Sequence, residues 1–390
     1  MAAALPDELP IARDLRTPVT VVGGGIAGLV AAISLAERRA RVTLHEARGR
    51  LGGRAESTPA PRRANLGPHA LYRHGSLEAW LRARDLLPRL VFPSLTAVRV
   101  LHRGRLLRLP TPLLPMLRCA GEAAPVGESY REWARRRIGD AAAEAAIGFA
   151  SLPTFHADPG TLSAAFVQER IARSLRWRPV AYVAGGWGKL VAALEARARA
   201  LGVEIRLGSK CLEAPPAPCI VATDLASAAR LLGDASIAWP GPRSALLDVA
   251  LHARRGDAAA VLSLDHRVYA SRYSAADPGL VPKGEELVQA HAGLAPGEKL
   301  EVGLERIRAV LDAGFAGWRE RVAWERRGLL EGGAGAADPP GSTWRDRPAV
   351  ERGNGVWLAG DRTAAPGVLS EVSCASAFAA ARGVLEKALG

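Results

Sequence analysis

"VVGGGIAGLVAA", residues 21–32, joins an apolar run to a segment of helical periodicity through glycines spaced as G-x-G-x-x-G. The preceding "VTVVG" is β-branched and apolar, as a buried parallel strand should be, and Leu29, Ile33 and Ala36 then fall on one helical face. "RVTLHE", residues 41–46, reads as a second strand, which completes a βαβ unit with the glycines at its first turn. Gly23 allows the tight turn, Gly25 lets a pyrophosphate approach the backbone, and Gly28 lets helix and strand pack closely. The helix start at Ile26 and Ala27 supplies unpaired N–H groups and a positive dipole end. Glu46, at the end of the second strand, is placed to accept hydrogen bonds from an adenosine ribose and would repel a 2′-phosphate. The glycine turn alone leaves open which dinucleotide binds, since an ordinary α/β crossover carries such turns too.

The bulk properties bound the answer. A chain of 390 residues, 48% hydrophobic and 23% charged, is expected to be globular with two domains. Cys119, Cys211, Cys219 and Cys374 form no CxxC pair and no metal-type spacing with histidine, so neither a disulfide framework nor a metal site is expected. Residues 1–18 carry Asp7 and Glu8 where a signal peptide needs an apolar core, and no segment offers a membrane span. A reducing cytoplasm is the expected compartment. The net charge of +13 invites a nucleic-acid reading, but only five of the 52 basic residues are lysines and the arginines come in scattered short runs. That is the pattern of a solvated surface, and no nucleic-acid partner is expected.

Along the chain, residues 76–178 read as mostly helical, with "SYREWARRRIGDAAAEAAIGFA" as one helical stretch. Within that region "RVLHRGRLLRLPTPLLPMLR", residues 99–118, reads as a buried strand and loop of the substrate domain, with a basic, apolar element lying on a membrane surface as the alternative. "GGWGKLVAALEARARALGVEIRL" and "APCIVATDLASAARLL" return to strand and helix alternation, "ALLDVAL" and "AAVLSLD" are strands, and a helix is expected over 305–316. "EGGAGAADPPGSTW", residues 331–344, reads as a flexible loop. The last segment is a strand over 356–359, a loop and a final helix with Ala375, Phe378, Leu385 and Leu389 on one face.

"GRLGGRAES", with Gly52, Gly53 and Arg54, resembles the GGR signature of the superfamily of FAD-dependent amine oxidases, phytoene desaturases and protoporphyrinogen oxidases. "ANLGPHALYRHG" is similar to that family's passage beside the isoalloxazine ring, with Gly67, Pro68 and His69 as counterparts and Asn65 where Asp is commoner. "GVWLAGD" resembles its carboxyl-terminal flavin motif. The resemblance implies FAD as cofactor, held by Gly23, Gly25, Ile26, Ala27, Gly28, Glu46, Gly52, Gly53, Arg54, Gly67, Pro68, His69, Gly360, Asp361, Val368 and Leu369. It places Arg54 against the diphosphate and Asp361 on the ribityl or diphosphate portion. The helix that Ser370 would cap points at the flavin pyrimidine, with Glu371 as an ordinary first-turn acid.

The implied fold class is α/β, a discontinuous Rossmann-like FAD-binding domain of the GR2 type (15–75, 180–235 and 345–390) with an inserted α+β substrate domain (76–179 and 236–344). Two departures bear on the substrate. Leu369 stands where the family's amine oxidases carry an aromatic ring, and the hairpin usual between "RLGSKCLEA" and "CIVATD" has almost vanished. A leucine wall suits an apolar small molecule, isoprenoid or secondary metabolite, with oxygen or a quinone as electron acceptor. An amine oxidase and a non-redox flavoprotein such as an isomerase are the alternatives. No catalytic side chain is assigned beyond the flavin itself; His69 is the candidate group beside the ring, and Tyr72, Arg73, Trp187 and Tyr273 are candidate pocket residues.

Overall fold

The computed structural model describes residues 18–93 and 97–388. Expectations for the amino-terminal residues 1–17 and for Leu389 lie outside these described residues. The chain opens with β1 (Val19–Val22), α1 (Ile26–Ala36), β2 (Val42–His45), β3 (Leu71–Tyr72) and α2 (Ser76–Arg82). It continues through β4 (Leu90–Val91), β5 (Val98–His102), β6 (Arg105–Leu107), α3 (Leu114–Cys119), α4 (Tyr130–Ile138), α5 (Asp140–Thr154) and α6 (Ala164–Ser174). Next come β7 (Val180–Val183), α7 (Trp187–Ala200), β8 (Glu204–Arg206), β9 (Cys219–Val221) and α8 (Leu225–Leu232). The remainder is β10 (Arg243–His252), β11 (Ala260–Ser263), β12 (Val268–Arg272), β13 (Glu285–Leu294), α9 (Leu300–Gly314), β14 (Val322–Glu331), β15 (Glu351–Gly353), β16 (Val356–Leu358) and α10 (Ser370–Lys387).

The first sheet has the order β15-β16-β9-β1-β2-β8 and is parallel except for β15. Val21 stands opposite Leu44 on one side and Ile220 on the other, so strands from distant parts of the sequence flank the opening one. Both faces are covered, which is why β1 needs no polar alternation. Helix α1 fits between the sheet and its neighbours α7 and α10, and Leu29, Ile33 and Leu35 are fully buried, each contributing about 1.5–3 kcal/mol. Trp357, Phe378, Val384 and Leu385 complete that core from the carboxyl-terminal end of the chain. Residues 207–218, between β8 and β9, contain no strand, in line with the missing hairpin.

The second sheet, β14-β10-β13-β12-β11-β5-β6, is antiparallel apart from the β11–β5 pair. Helix α9 closes one face with Leu304, Ile307, Val310, Leu311 and Phe315. It begins at Leu300, ahead of the expected residue 305, because Leu300, Leu304, Ile307 and Leu311 form one continuous buried stripe. The other face meets the helical layer of α3 to α6. There the single helical stretch expected around residues 129–150 is broken: Gly139 adopts φ +80°, ending α4 and starting α5. Ser129 and Glu132 form a capping box that fixes where α4 begins.

Residues 331–344 are not the free loop their composition suggested. Ala334, Ala336, Ala337 and Asp338 are buried, and Asp338 accepts hydrogen bonds from Arg347 at 2.9 and 2.7 Å and from Trp239 Nε1 at 3.0 Å. Small side chains let this backbone, which runs from β14 of the second sheet to β15 of the first, pack closely, with Ala337 against the helical layer, and the buried ion pair anchors it.

Candidate functional site

The glycine turn is held by contacts that leave no room for side chains. Gly23 has φ +107°, and a Cβ on Gly28 would lie 1.8 Å from the Gly23 carbonyl oxygen. A Cβ on Gly25 would meet nothing within 4 Å, so open space faces the start of α1, whose amides carry no side-chain cap. Glu46 is 8% exposed and braces the turn, accepting the Gly24 N–H on Oε2 and the Arg48 N–H on Oε1, each at 2.8 Å. Gly52 donates its N–H to the Gly24 carbonyl at 2.8 Å and bridges Gly25, which draws the GGR segment onto the turn.

Arg54 then reaches across to the carboxyl-terminal segment. Its guanidinium forms a two-pronged pair with Asp361, at 2.6 and 2.9 Å, and donates to the Gly333 carbonyl. Asp361 is buried and also accepts the Gly335 N–H at 3.1 Å. Burial pushes its pKa up, and the Arg54 guanidinium outweighs that and holds the carboxyl below the usual carboxylate range. The preceding Gly360 donates its N–H to Ser376 Oγ of α10 at 3.0 Å. Arg54, expected against the diphosphate, and Asp361, expected on the ribityl or diphosphate portion, thus hold each other in this structure.

The segment 65–69 is anchored from three directions. Asn65 Oδ1 accepts the Trp187 N–H at 2.9 Å and the Ser57 hydroxyl at 2.8 Å, while its carbonyl accepts Gln289 Nε2 at 2.8 Å. An amide therefore satisfies this position without a carboxylate. Gly67 is buried and Pro68 half-buried, and the Gly67 carbonyl lies 3.2 Å from Nδ1 of His69. Burial pushes the His69 pKa down to about 4, with Arg54 and Arg326 adding to the effect, so the ring is neutral at pH 7. Its carbonyl accepts the Tyr273 hydroxyl at 2.9 Å, and Tyr273 stacks on Tyr182 with centroids 4.1 Å apart. Tyr273 and the buried Trp187 are supports of this segment, and Arg73 is engaged with Glu78 at 3.0 Å. Tyr72 is buried near Arg173, and burial raises its hydroxyl to about 12.

At the start of α10 two expectations are corrected. Ser370 is the first helical residue and no cap; the cap position is Leu369, at φ +52°, without a side-chain hydrogen bond. Glu371 is no ordinary first-turn acid. It is 2% exposed, accepts the Val368 N–H at 2.9 Å, and accepts Nη2 of Arg173 from α6 on both carboxylate oxygens, at 2.6 and 2.7 Å. Gly75 makes this possible, since a Cβ there would lie 1.6 Å from Glu371 Oε1. Beside that helix end, Leu369, Val372, Thr154, Arg170, Asp361 and Gly335 line a cavity of about 10 Å³. Arg170 is 6% exposed, donates to the Phe166 carbonyl at 3.1 Å, and has the exposed Glu169 at 3.5 Å as its nearest carboxylate. Burial lowers it to about 10. Arg170, Arg173 and Arg347 were missed by motif reading. The available signal was charge on the apolar face of "FVQERIARS", where Arg170 and Arg173 recur at helical spacing beside Phe166 and Val167. A larger cavity, about 730 Å³, runs along the other side of α10 past Trp344, Phe378 and Arg382 and touches neither the glycine turn nor Arg54.

Residues 21–84 match the NAD(P)-binding Rossmann-like domain family. Among curated proteins nothing matches the chain. Solved structures share the fold over nearly their whole length. An oxidoreductase from Methanosarcina mazei is 18% identical with a TM-score of 0.76, covering 93% of this chain and 99% of that one. Cyclohexylamine oxidase from Brevibacterium oxydans IH-35A is 17% identical with a TM-score of 0.75, covering 95% and 99%. Reduced UDP-galactopyranose mutase is 15% identical with a TM-score of 0.74, covering 95% and 96%. The architecture is α/β with a Rossmann-like nucleotide-binding unit, a fold shared with these solved structures.

Proposed function

We propose that this chain is an FAD-dependent oxidoreductase that removes hydride from an apolar small molecule. The observation that carries the reading is convergence: the glycine turn, Glu46, the GGR segment and Asp361 meet at one place although Arg54 and Asp361 are 307 residues apart. A nicotinamide Rossmann site needs only the first two of these; the GGR segment and the Asp361 segment are the added elements that the resemblance to FAD-dependent oxidoreductases implies. The residues present fit that group, because Gly25 leaves open space before the uncapped amides of α1, Glu46 keeps lone pairs for a ribose, and Arg54 is a cation beside the same turn. When bound, FAD supplies the hydride acceptor.

The chain's own groups position and tune. The amino terminus of α10 offers positive potential without a mobile charge, and the Glu371–Arg173 pair fixes its place. Neutral His69 is held near Arg54 as a hydrogen-bonding group rather than a cation. Leu369 stands directly before that helix, at the position where the amine oxidases that the sequence resembles carry an aromatic ring, and this supports a carbon skeleton over an amine.

The test is direct. Purified protein is expected to show a flavin absorption spectrum, and anaerobic addition of apolar alkenes is expected to bleach it, with reoxidation by oxygen or a quinone. Arg54→Ala and Glu46→Ala should weaken FAD uptake. Protein that takes up no FAD ends the proposal; hydrogen peroxide and aldehyde from an amine select an amine oxidase, and turnover with no acceptor consumed selects an isomerase.

A further inference from the structure

The stretch "RGRLLRLPTPLLPMLR", residues 103–118, behaves unlike either a buried strand or a solvated loop. Strand β6 is the edge of the seven-stranded sheet, joined to β5 by a tight turn at Arg103 and Gly104, whose amides donate to Asp265 at 2.9 and 3.1 Å. Beyond it, α3 turns Met116 and Cys119 inward, where they pack with Leu113 in the helical-layer core. The outward positions of the stretch carry leucines as well, two of them on α3. Leu106, Leu109, Leu114 and Leu117 are 38%, 50%, 37% and 36% exposed, within twelve residues of chain. A short helix that is apolar on both its protein and its outer side is not explained by contacts with water.

The charges point the same way. Arg103, Arg105, Arg108 and Arg118 are exposed, and among the described residues none of their side chains has a hydrogen-bond or ion-pair partner. Many other surface arginines here are paired, as Arg136 is with Glu128 and Arg137 with Glu122. No acidic residue occurs between Arg103 and Gly121. Unpaired cations interleaved with exposed leucines complement a surface that is anionic outside and apolar just beneath. The three-residue edge strand, studded with arginine, is a poor template for pairing with a second copy of the chain. At the end of α6, Leu175 and Trp177 stand exposed beside Arg176 and Arg178, and α6 is tied to the end of α3 by the Gln168 Nε2 bond to the Cys119 carbonyl, at 2.6 Å. No helix among the described residues is long and apolar enough to cross a membrane, so attachment would be by this surface.

We propose that residues 103–118 form a docking surface for an anionic lipid bilayer, with the four leucines entering the headgroup boundary and the four arginines meeting lipid phosphates. This attachment is independent of the redox reading and concerns where an apolar substrate would be met.

Sedimentation of the full chain with vesicles made of equal parts phosphatidylglycerol and phosphatidylcholine, against vesicles of phosphatidylcholine alone, tests it. The wild type is expected to bind the anionic vesicles, and more weakly as salt is raised. The Arg105→Gln/Arg108→Gln/Arg118→Gln variant should lose about a hundredfold in partitioning. The Leu109→Ser/Leu114→Ser/Leu117→Ser variant should also dissociate; the arginine variant should melt at the wild-type temperature, and the leucine variant, whose side chains are only about a third to a half exposed, should melt a few degrees lower with its fold retained. Wild type remaining in the supernatant, or variants binding as well as wild type, overturns the proposal. So does binding that the arginine changes abolish and the leucine changes leave intact, which would indicate an acidic macromolecule. Loss of self-association in the leucine variant without any vesicle effect would assign the surface to a second copy and equally overturn it.

Discussion

Removing the Glu371 carboxylate should loosen the helix start on which the proposed flavin site depends. In the pair it forms with Arg173, Nη2 reaches both carboxylate oxygens, at 2.6 and 2.7 Å, with the carboxylate side chain 3% and the guanidinium side chain 15% exposed. At that depth two opposite charges about 4 Å apart attract by about 4 kcal/mol with an effective dielectric near 20. Desolvation of both partners cancels part of this, leaving a net coupling of about 2 kcal/mol. Deleting one partner costs more than the net coupling, about 3–5 kcal/mol, because the other charge stays buried; in Glu371→Ala the Val368 N–H loses its acceptor as well. Urea unfolding of Arg173→Ala, Glu371→Ala and the double variant forms a cycle that isolates the pair. The double variant should be less unstable than the sum of the singles by about 2 kcal/mol, and both singles should bind FAD more weakly. Additivity within about 0.5 kcal/mol would refute the reasoning, since the contact would then carry no energy of its own.

Further outcomes follow from the same structure. Gly28→Ala places a Cβ 1.8 Å from the Gly23 carbonyl oxygen, so thermal melting should show a loss of about 1–3 kcal/mol and FAD uptake should fall with it. Arg347→Met strands the buried Asp338, leaving it only Trp239 Nε1 as a hydrogen-bond donor among its present partners, and chemical denaturation should register a loss of about 3–5 kcal/mol. His291 is 1% exposed, both ring nitrogens lack partners, and burial pushes it down to about 3. A depressed value means the folded chain refuses a proton that the unfolded chain accepts from about 6.5 downward, so stability present above that pH is lost as pH falls toward 3. By pH 5 the loss is about 2 kcal/mol, and His291→Phe should remove it, as urea midpoints at pH 7 and pH 5 will show.

Reading the chain as sequence succeeded where the demand is local. The turn at Gly23 to Gly28, the β-branched strand before it and Glu46 at the end of the next strand each state a requirement of backbone geometry within a few residues, and α1 and β2 form accordingly. Errors arose where local composition is neutral. Glycine is tolerated inside helical patterns, so nothing near Gly139 announced a break; it is the left-handed φ, set by how α4 and α5 pack, that ends the helix. Residues 331–344 are small and polar enough to look free, and only tertiary packing buries Ala336 and Ala337, the latter against the helical layer.

Sequence alone therefore determined the parallel βαβ unit and the kind of residues gathered for a nucleotide, because spacing along the chain encodes strand, turn and helix directly. Tertiary structure decided the partners. Arg54 with Asp361, Arg173 with Glu371 and Arg347 with Asp338 are charges whose neighbours depend on how segments cross, and a buried charge must be matched by whichever opposite group the topology brings within about 3 Å. The same crossing left Leu109 and Leu114 on the outside, a fact that hydropathy could not contain because leucine carries the same label in a core and on a surface.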